Sequence, residues 1–272
     1  MPEDANCLKC WKQVVTDLSF DRSSRKSKKA LTKRVLIIPD SPEPLKYFWR
    51  TNNNMRIGVC IPTYNKHLPF LERCLDSIEE QTVQPTVVSI SASSITEPFT
   101  LKPRPFPVKL LITDKQQFAS TNRNKAAAEI LDEVDILSFI DSDDEMVSYR
   151  LAYVQAAFQD TKADFVLHSF VDLKAMYETK PTPESTYRCL KNPFTVDMRP
   201  YAGLSLPDGT PIHNAHLSLR SPIFRTHQYG EFIVTLPNKS YGWEDTEFNR
   251  RLYLNGYTGA FIPCQLSLYH SY

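Results

Sequence analysis

From Arg56 onward, short apolar blocks alternate with apolar positions at helical spacing. Ile57-Gly58-Val59-Cys60-Ile61 is an apolar run stopped by Pro62, the pattern of a buried parallel strand. Leu71, Cys74, Leu75 and Ile78 then fall at i, i+3, i+4 and i+7, one face of a helix. Strands are predicted at residues 87–90, 109–112, 136–140 and 165–167. Further helical stripes run through Ala127, Ile130, Leu131 and Val134, and through Leu151, Val154 and Phe158. The alternation predicts a mainly parallel α/β sheet flanked by helices on both faces. Ligands of such sheets bind at the carboxyl ends of the strands, and Asp141 follows one such end.

The ends of the chain differ from this middle. Six prolines punctuate residues 172–211, so long regular elements are not expected there, and a pocket-shaping insertion is. Order returns with a strand at 216–219, a helix over 245–255 and a last strand at 266–269. Residues 1–55 read as an N-terminal extension, partly flexible. Val35-Leu36-Ile37-Ile38 could add a strand there, and Asn52-Asn53-Asn54 reads as a linker. Seven Lys/Arg and no acid lie between Arg22 and Arg34. The bland reading is a solvated arm. The sharper one is weak contact with a membrane surface or another anionic partner through residues 22–34.

Composition narrows the class. A chain of 272 residues suits one large α/β domain or two small ones. Its net charge of +1 argues against nucleic acid as the main partner. No apolar run approaches the ~18 residues of a membrane span, and the N-terminus has no signal-peptide core. The expectation is a cytoplasmic protein. Cys60, Cys74 and Cys264 lie in apolar segments and read as reduced thiols. Cys7 and Cys10 form a lone CxxC without the second pair a zinc ribbon needs.

Asp141-Ser142-Asp143-Asp144 carries the strongest chemical signal. Three carboxylates this close repel one another, and a divalent cation relieves them, with hard oxygen ligands suiting magnesium or manganese. A helix cap would account for one or two of the acids. Tyr241-Gly242-Trp243-Glu244-Asp245 leads into a helix; taken alone it reads as a cap, with Glu247 pairing to Arg250 or Arg251. Asn122-Arg123-Asn124 opens an alanine-rich helix, either as a cap with a surface arginine or as a polar cluster holding a ligand. His213 and His216, spaced by three near a strand, are expected on opposite faces, which argues against joint metal ligation.

Taken in order, these pieces resemble the inverting GT-A glycosyltransferases of family two. The resemblance rests on Val59-Cys60-Ile61-Pro62-Thr63-Tyr64-Asn65, on Phe118 to Ala127, and on Phe139-Ile140-Asp141-Ser142-Asp143-Asp144. It continues through His216 to Phe224, Glu244-Asp245-Thr246-Glu247-Phe248 and Tyr269-His270. It covers residues 56–272 and implies one catalytic domain, with 56–171 binding nucleotide sugar and 172–272 binding acceptor. Two features depart from the expected pattern. Ser91-Ala92-Ser93-Ser94 stands where members commonly carry aspartates for the nucleobase and ribose, with Asp114 a candidate substitute. No QxxRW sequence is present, which argues against the processive synthases.

The resemblance implies roles. Pro62, Thr63, Tyr64, Asn65, Asp114, Asn122, Arg123, Asp141 and Ser142 would bind the donor, a nucleoside-diphosphate sugar with UDP favoured. Asp143 and His270 would hold Mn2+ or Mg2+. Asp245 would be the general base, Glu244 would support it, and Trp243 and His216 would meet a carbohydrate acceptor. Two alternatives stay open: a sugar-nucleotide pyrophosphorylase, which should carry a Gly-rich loop near the first strand, and a non-catalytic sugar-binding protein of the same fold.

Overall fold

The computed structural model describes residues 55–173, 188–189, 212–231, 233–236, 239–242 and 244–270. These lie within the unit Arg50–Tyr272. The extension, most of the proline-rich stretch and Trp243 fall outside the described residues, and so do the expectations placed on them.

The elements run β1 (Ile57–Tyr64), α1 (Leu68–Glu79), β2 (Val87–Ser93), β3 (Val108–Ile112), α2 (Ala119–Ile130), β4 (Ile136–Phe139) and β5 (Glu145–Met146). They continue through α3 (Arg150–Thr161), β6 (Phe165–Asp172), β7 (Arg188–Cys189), β8 (Ser218–Arg220) and α4 (Ser221–Phe224). The last are β9 (Ile233–Leu236), β10 (Lys239–Gly242), α5 (Glu244–Leu254) and β11 (Gly259–Tyr269). Two single-turn 3-10 segments, Asn65–His67 and Asn214–His216, join them.

The main sheet has the order β3-β2-β1-β4-β8-β6-β11-β5, with β7 also on β11. β1 pairs in parallel with β2 and β4, β2 with β3, and β6 with β11. The short β8 runs antiparallel to both β4 and β6. This is the mainly parallel α/β sheet of the GT-A type. β9 and β10 form a separate antiparallel pair.

Apolar side chains cover both faces of the sheet. Ile57, Val59 and Ile61 of β1 pack with Leu71, Leu75 and Ile78 of α1 and Leu151, Val154 and Phe158 of α3. Cys60, Leu137 and Phe139 point the other way, onto Ala126, Ala127 and Ile130 of α2 and Phe248 and Leu252 of α5. Burial on both sides explains why β1 and β4 read as unbroken apolar runs. The stripe on α1 starts just after Pro69, whose fixed φ suits a first helical turn. Where β1 meets α2 the packing is close, and a side chain on Gly58 would have to displace that of Ile130. A Cβ on Gly58 would lie 2.5 Å from Ile130 Cδ1.

The chain leaves β1 for β2 and β3 on one side and returns to β4 on the other. The crevice at that reversal, outside the ends of β1 and β4, is where open α/β sheets bind ligands.

Candidate active site

The acidic loop Asp141-Ser142-Asp143-Asp144 lies at the end of β4, against the end of β1. Ser142 Oγ donates to Thr63 Oγ1 at 2.9 Å, and the Asp144 amide closes a turn on the Asp141 carbonyl at 3.1 Å. From α1, Arg73 donates to the Asp143 carbonyl at 2.6 Å, and its Nε lies 3.2 Å from Glu145 Oε1. Backbone contacts and Ser142 thus help to fix the loop. Burial, reinforced by the charges of Asp141 and Asp144, pushes the Asp143 carboxyl up to about 7. His67 Nδ1 lies 3.5 Å from Asp143 Oδ2, but burial lowers the affinity of that imidazole for a proton. The cluster is short of positive charge, and a hard divalent cation with oxygen ligands fits it.

Arg123 joins this loop to the acidic start of α5. Its Nη2 donates to Asp141 Oδ1 and its Nη1 to Glu244 Oε1, each at 2.7 Å. The guanidinium is buried and stacks over Tyr229, 5.5 Å from the ring centroid. Two carboxylates hold it firmly in its charged form against the cost of burial. It is thus not a surface arginine. A planar guanidinium holds two carboxylates in a fixed geometry through separate nitrogens, which the single nitrogen of a lysine cannot do. Asp245 follows Glu244, and its Oδ1 accepts from the Thr246 amide. Burial raises the Asp245 carboxyl; Glu244 adds to this and Arg123 opposes it.

The remaining residues singled out from the sequence are spread around these two motifs. Tyr64 is half-buried to exposed at the end of β1, with its ring 4.4 Å from that of His67, and Asn65 is exposed beside it. Pro62 and Thr63 are buried. Asp114 is exposed in the turn after β3. Asn122 is buried with its amide fully used: Nδ2 donates to the Thr63 carbonyl and to Ser93 Oγ, and Oδ1 accepts from Ser91. It ties α2 to β1 and β2 and keeps no free amide proton for a ligand. Glu247 pairs with Arg251 at 2.7 Å, one of the two partners expected.

His270 sits beside the acidic loop, its amide donating to Asp144 Oδ1 at 2.9 Å. Its Nε2 is 2.7 Å from Glu145 Oε1, so the imidazole is turned to that carboxylate.

His216, expected to meet an acceptor, is fully buried, and its Nε2 lies 3.0 Å from Asp144 Oδ2. The expectation that His213 and His216 diverge fails. Residues 214–216 form a 3-10 turn, in which side chains at i and i+3 eclipse. The two rings stack, 3.5 Å apart and 6° from parallel.

With this arrangement in view, the comparisons with known proteins are informative. The family model for glycosyl transferase family 2 matches residues 58–216, more than half of the chain. The chain belongs to that family. No curated protein matches it. Solved structures of S. aureus TarS share the fold. One covers 80% of this family 2 chain at 16% identity and a TM-score of 0.55, and this chain covers 37% of it. TarS 1–349 in complex with UDP-GlcNAc gives a TM-score of 0.56 at 15% identity, covering 80% of this chain and 59% of that one. The complex of TarS 1–349 with UDP gives 0.54 at 16%, with coverages of 80% and 61%. The chain thus spans less than two thirds of each. Among the described residues no helix is long and apolar enough to cross a membrane.

Proposed function

We propose that this family 2 chain is a metal-dependent, inverting glycosyltransferase that moves a sugar from a nucleoside-diphosphate donor to a hydroxyl of a carbohydrate acceptor. The observation that carries the reading is the Arg123 bridge, which brings the acidic loop after β4 and the acidic start of α5 to one buried cation. A donor-side cluster and a candidate base on one crevice are what glycosyl transfer requires.

The donor lies across the ends of β1 and β4, with Tyr64, Asn65 and Asp114 at its nucleoside end. A uridine nucleotide is favoured, in keeping with the fold shared with TarS, which was solved with UDP and UDP-GlcNAc. Asp143 would hold Mn2+ or Mg2+, and His270 could join it by leaving Glu145. When bound, such a cation supplies Lewis-acid stabilisation to the leaving diphosphate. Arg123 keeps Asp141 oriented toward the donor. Asp245 takes the proton from the acceptor hydroxyl as it attacks the anomeric carbon opposite the leaving group. A carboxyl raised by burial is a better proton acceptor than an ordinary one, and Glu244, gripped by Arg123, fixes where it stands. Trp243 would stack on the acceptor sugar. Nucleotide release across uridine and guanosine diphosphate sugars, with manganese and with chelator, tests the reading. Release that ignores chelator, or no release with any donor, would sink it.

The raised Asp143 carboxyl sets a pH dependence. In the cation-free protein its neutral form is favoured. That contribution to stability is present below the ordinary carboxylate range and is lost as pH rises through about 7. A cation binds the carboxylate and displaces the proton. Manganese affinity should therefore fall about tenfold per pH unit below ~7 and level off above it. Calorimetric titrations between about pH 5.5 and 8.5 read this directly. Asp143→Asn should weaken manganese and donor binding strongly and flatten the pH profile. An unchanged profile would assign the titration elsewhere.

Residues 56–272 are further proposed to be one catalytic domain, with donor and acceptor halves meeting near residue 171. A chain starting at Met55 should keep donor hydrolysis; an insoluble product would place part of the extension in the core.

A further inference from the structure

The last carboxylate of the acidic loop belongs to a second group of ligand-type atoms that the proposed reaction does not use. Asp144, His213 and His216 each present one such atom, all within 4.8 Å of one another, and all three residues are buried. Asp144 Oδ2 lies 3.0 Å from His216 Nε2 and 3.5 Å from His213 Nε2. A tetrahedral ion with bonds of ~2.0–2.1 Å separates its ligand atoms by ~3.3 Å. The two observed spacings bracket that figure.

Hydrogen bonding points the same way. Neither Asp144 Oδ2 nor His213 Nε2 has a hydrogen-bond partner among the described residues. The Asp141 amide donates to His216 Nε2 at 3.3 Å, and His216 Nδ1 lies 2.8 Å from Ser267 Oγ, a hydroxyl that can donate or accept. In the tautomer that accepts from the amide, Nε2 keeps a lone pair 3.0 Å from Asp144 Oδ2. The nearest fixed cation does not relieve them. Arg150 donates to the Phe139 and His216 carbonyls and to Ser267. A third imidazole stands at the edge, with its ring centroid 6.1 Å from that of His216. His168 Nδ1 lies 2.8 Å from the Ser169 carbonyl, which can only accept; its Nε2 therefore bears a lone pair, and it too has no partner. Buried acceptors are seldom left in such a state, and each costs the desolvation of the group.

We propose that Asp144, His213 and His216 form a buried site for a transition-metal ion of the zinc type, the stacked His213 and His216 rings turning out of parallel to bring both Nε2 atoms to one ion, with water or His168 in the fourth position. Two or three imidazoles with a single carboxylate select zinc, cobalt or nickel over magnesium. Such an ion would tie the loop after β4 to the 3-10 turn before β8. It would also hold Asp144 away from the donor-side cation, leaving that role to Asp143. The site does not depend on the glycosyltransferase reading, because its three ligands are buried and the proposed reaction gives none of them a step.

Cobalt serves as the spectroscopic probe on full-length protein stripped with chelator. One equivalent should give the visible absorption of a four-coordinate ion, zinc should displace it, and zinc should raise the melting temperature. Asp143→Asn should keep this signal while losing manganese-dependent donor binding, and His213→Gln should lower cobalt affinity at least tenfold. Zinc-edge absorption on the unmutated protein covers the case in which His213→Gln does not fold: it should show at least two imidazole rings around the ion. An all-oxygen shell, no uptake by the stripped protein, or a His213→Gln protein that binds as well as the original would overturn the proposal. In that event a proton shared among Asp144 and the two histidines takes the place of the metal.

Discussion

Replacing Asp245 with asparagine should lower sugar transfer by about 10²–10⁴-fold, the usual loss when a general base is removed. The change is nearly isosteric. An asparagine oxygen can still accept from the Thr246 amide, which now meets Asp245 Oδ1. It also removes a carboxyl that burial has already raised, so folding should not suffer. Donor affinity measured with manganese should be close to unchanged. Glu247→Gln is the matched control on the same helix. Glu247 pairs with Arg251 at i, i+4 on a partly exposed face, and losing such a pair costs only tenths of a kcal/mol. Single-turnover transfer separates the two. If Asp245→Asn keeps more than about a tenth of the normal rate, the base lies elsewhere and Glu244 is the next residue to change.

Arg123→Met should be the most destabilising single change at the site. It leaves Asp141 and Glu244 facing a gap with no cation, and removing one partner of a buried pair costs about 3–5 kcal/mol. Both carboxylates keep some contact with solvent, 26% and 14% of their side-chain surface, which favours the lower end. In a domain of this size ~3 kcal/mol corresponds to a fall of about 6–12 °C in melting temperature. Activity should fall as well, because Asp141 and Glu244 lose their common anchor. Arg123→Lys keeps the charge without the fork and should recover part of the stability but little of the activity. A loss of less than about 1 kcal/mol for the methionine variant would show that the bridge is a surface-like pair.

Much of the fold was legible because its strands are buried on both faces. β1 and β4 read as apolar runs, and α1 as a clean stripe. What escaped has physical causes. β11 was expected only over 266–269, yet it runs Gly259–Tyr269. Register shifts at Ile262/Gln265 and Gln265/Leu268 break the two-residue period that would have shown it. β5 and β7 are two residues each, too short for any pattern. The β9–β10 pair was missed, although Ile233-Val234-Thr235-Leu236 before Pro237-Asn238 is a usable hairpin signal.

The same holds at the site. The acidic loop stood out because three adjacent carboxylates are rare. Arg123 as a bridge did not, because its partners lie 18 and 121 residues away and sequence carries no such distance. Arg73 and Glu145, which brace the loop, were not singled out as site residues for the same reason. Stacking of His213 on His216 depended on a 3-10 turn that the strand-like setting concealed.

The place of β8 has a consequence for how the protein is made. β4 lies in the donor half, yet its outer edge is closed by a segment far downstream, with Ile136 opposite Arg220. Synthesis at ~5–20 residues per second needs ~4–16 s to cover the roughly eighty residues between them. For that interval the nascent chain carries Ile136, Leu137 and Phe139 on an unpaired strand edge, the kind of surface that recruits other chains. β6 emerges in the same interval and lacks the same partner, because β8 is what joins the two. A ribosome stalled between residues 172 and 216 should therefore hold its chain in a chaperone-bound form. One stalled late enough to release β8 should show protease protection appearing in both halves together.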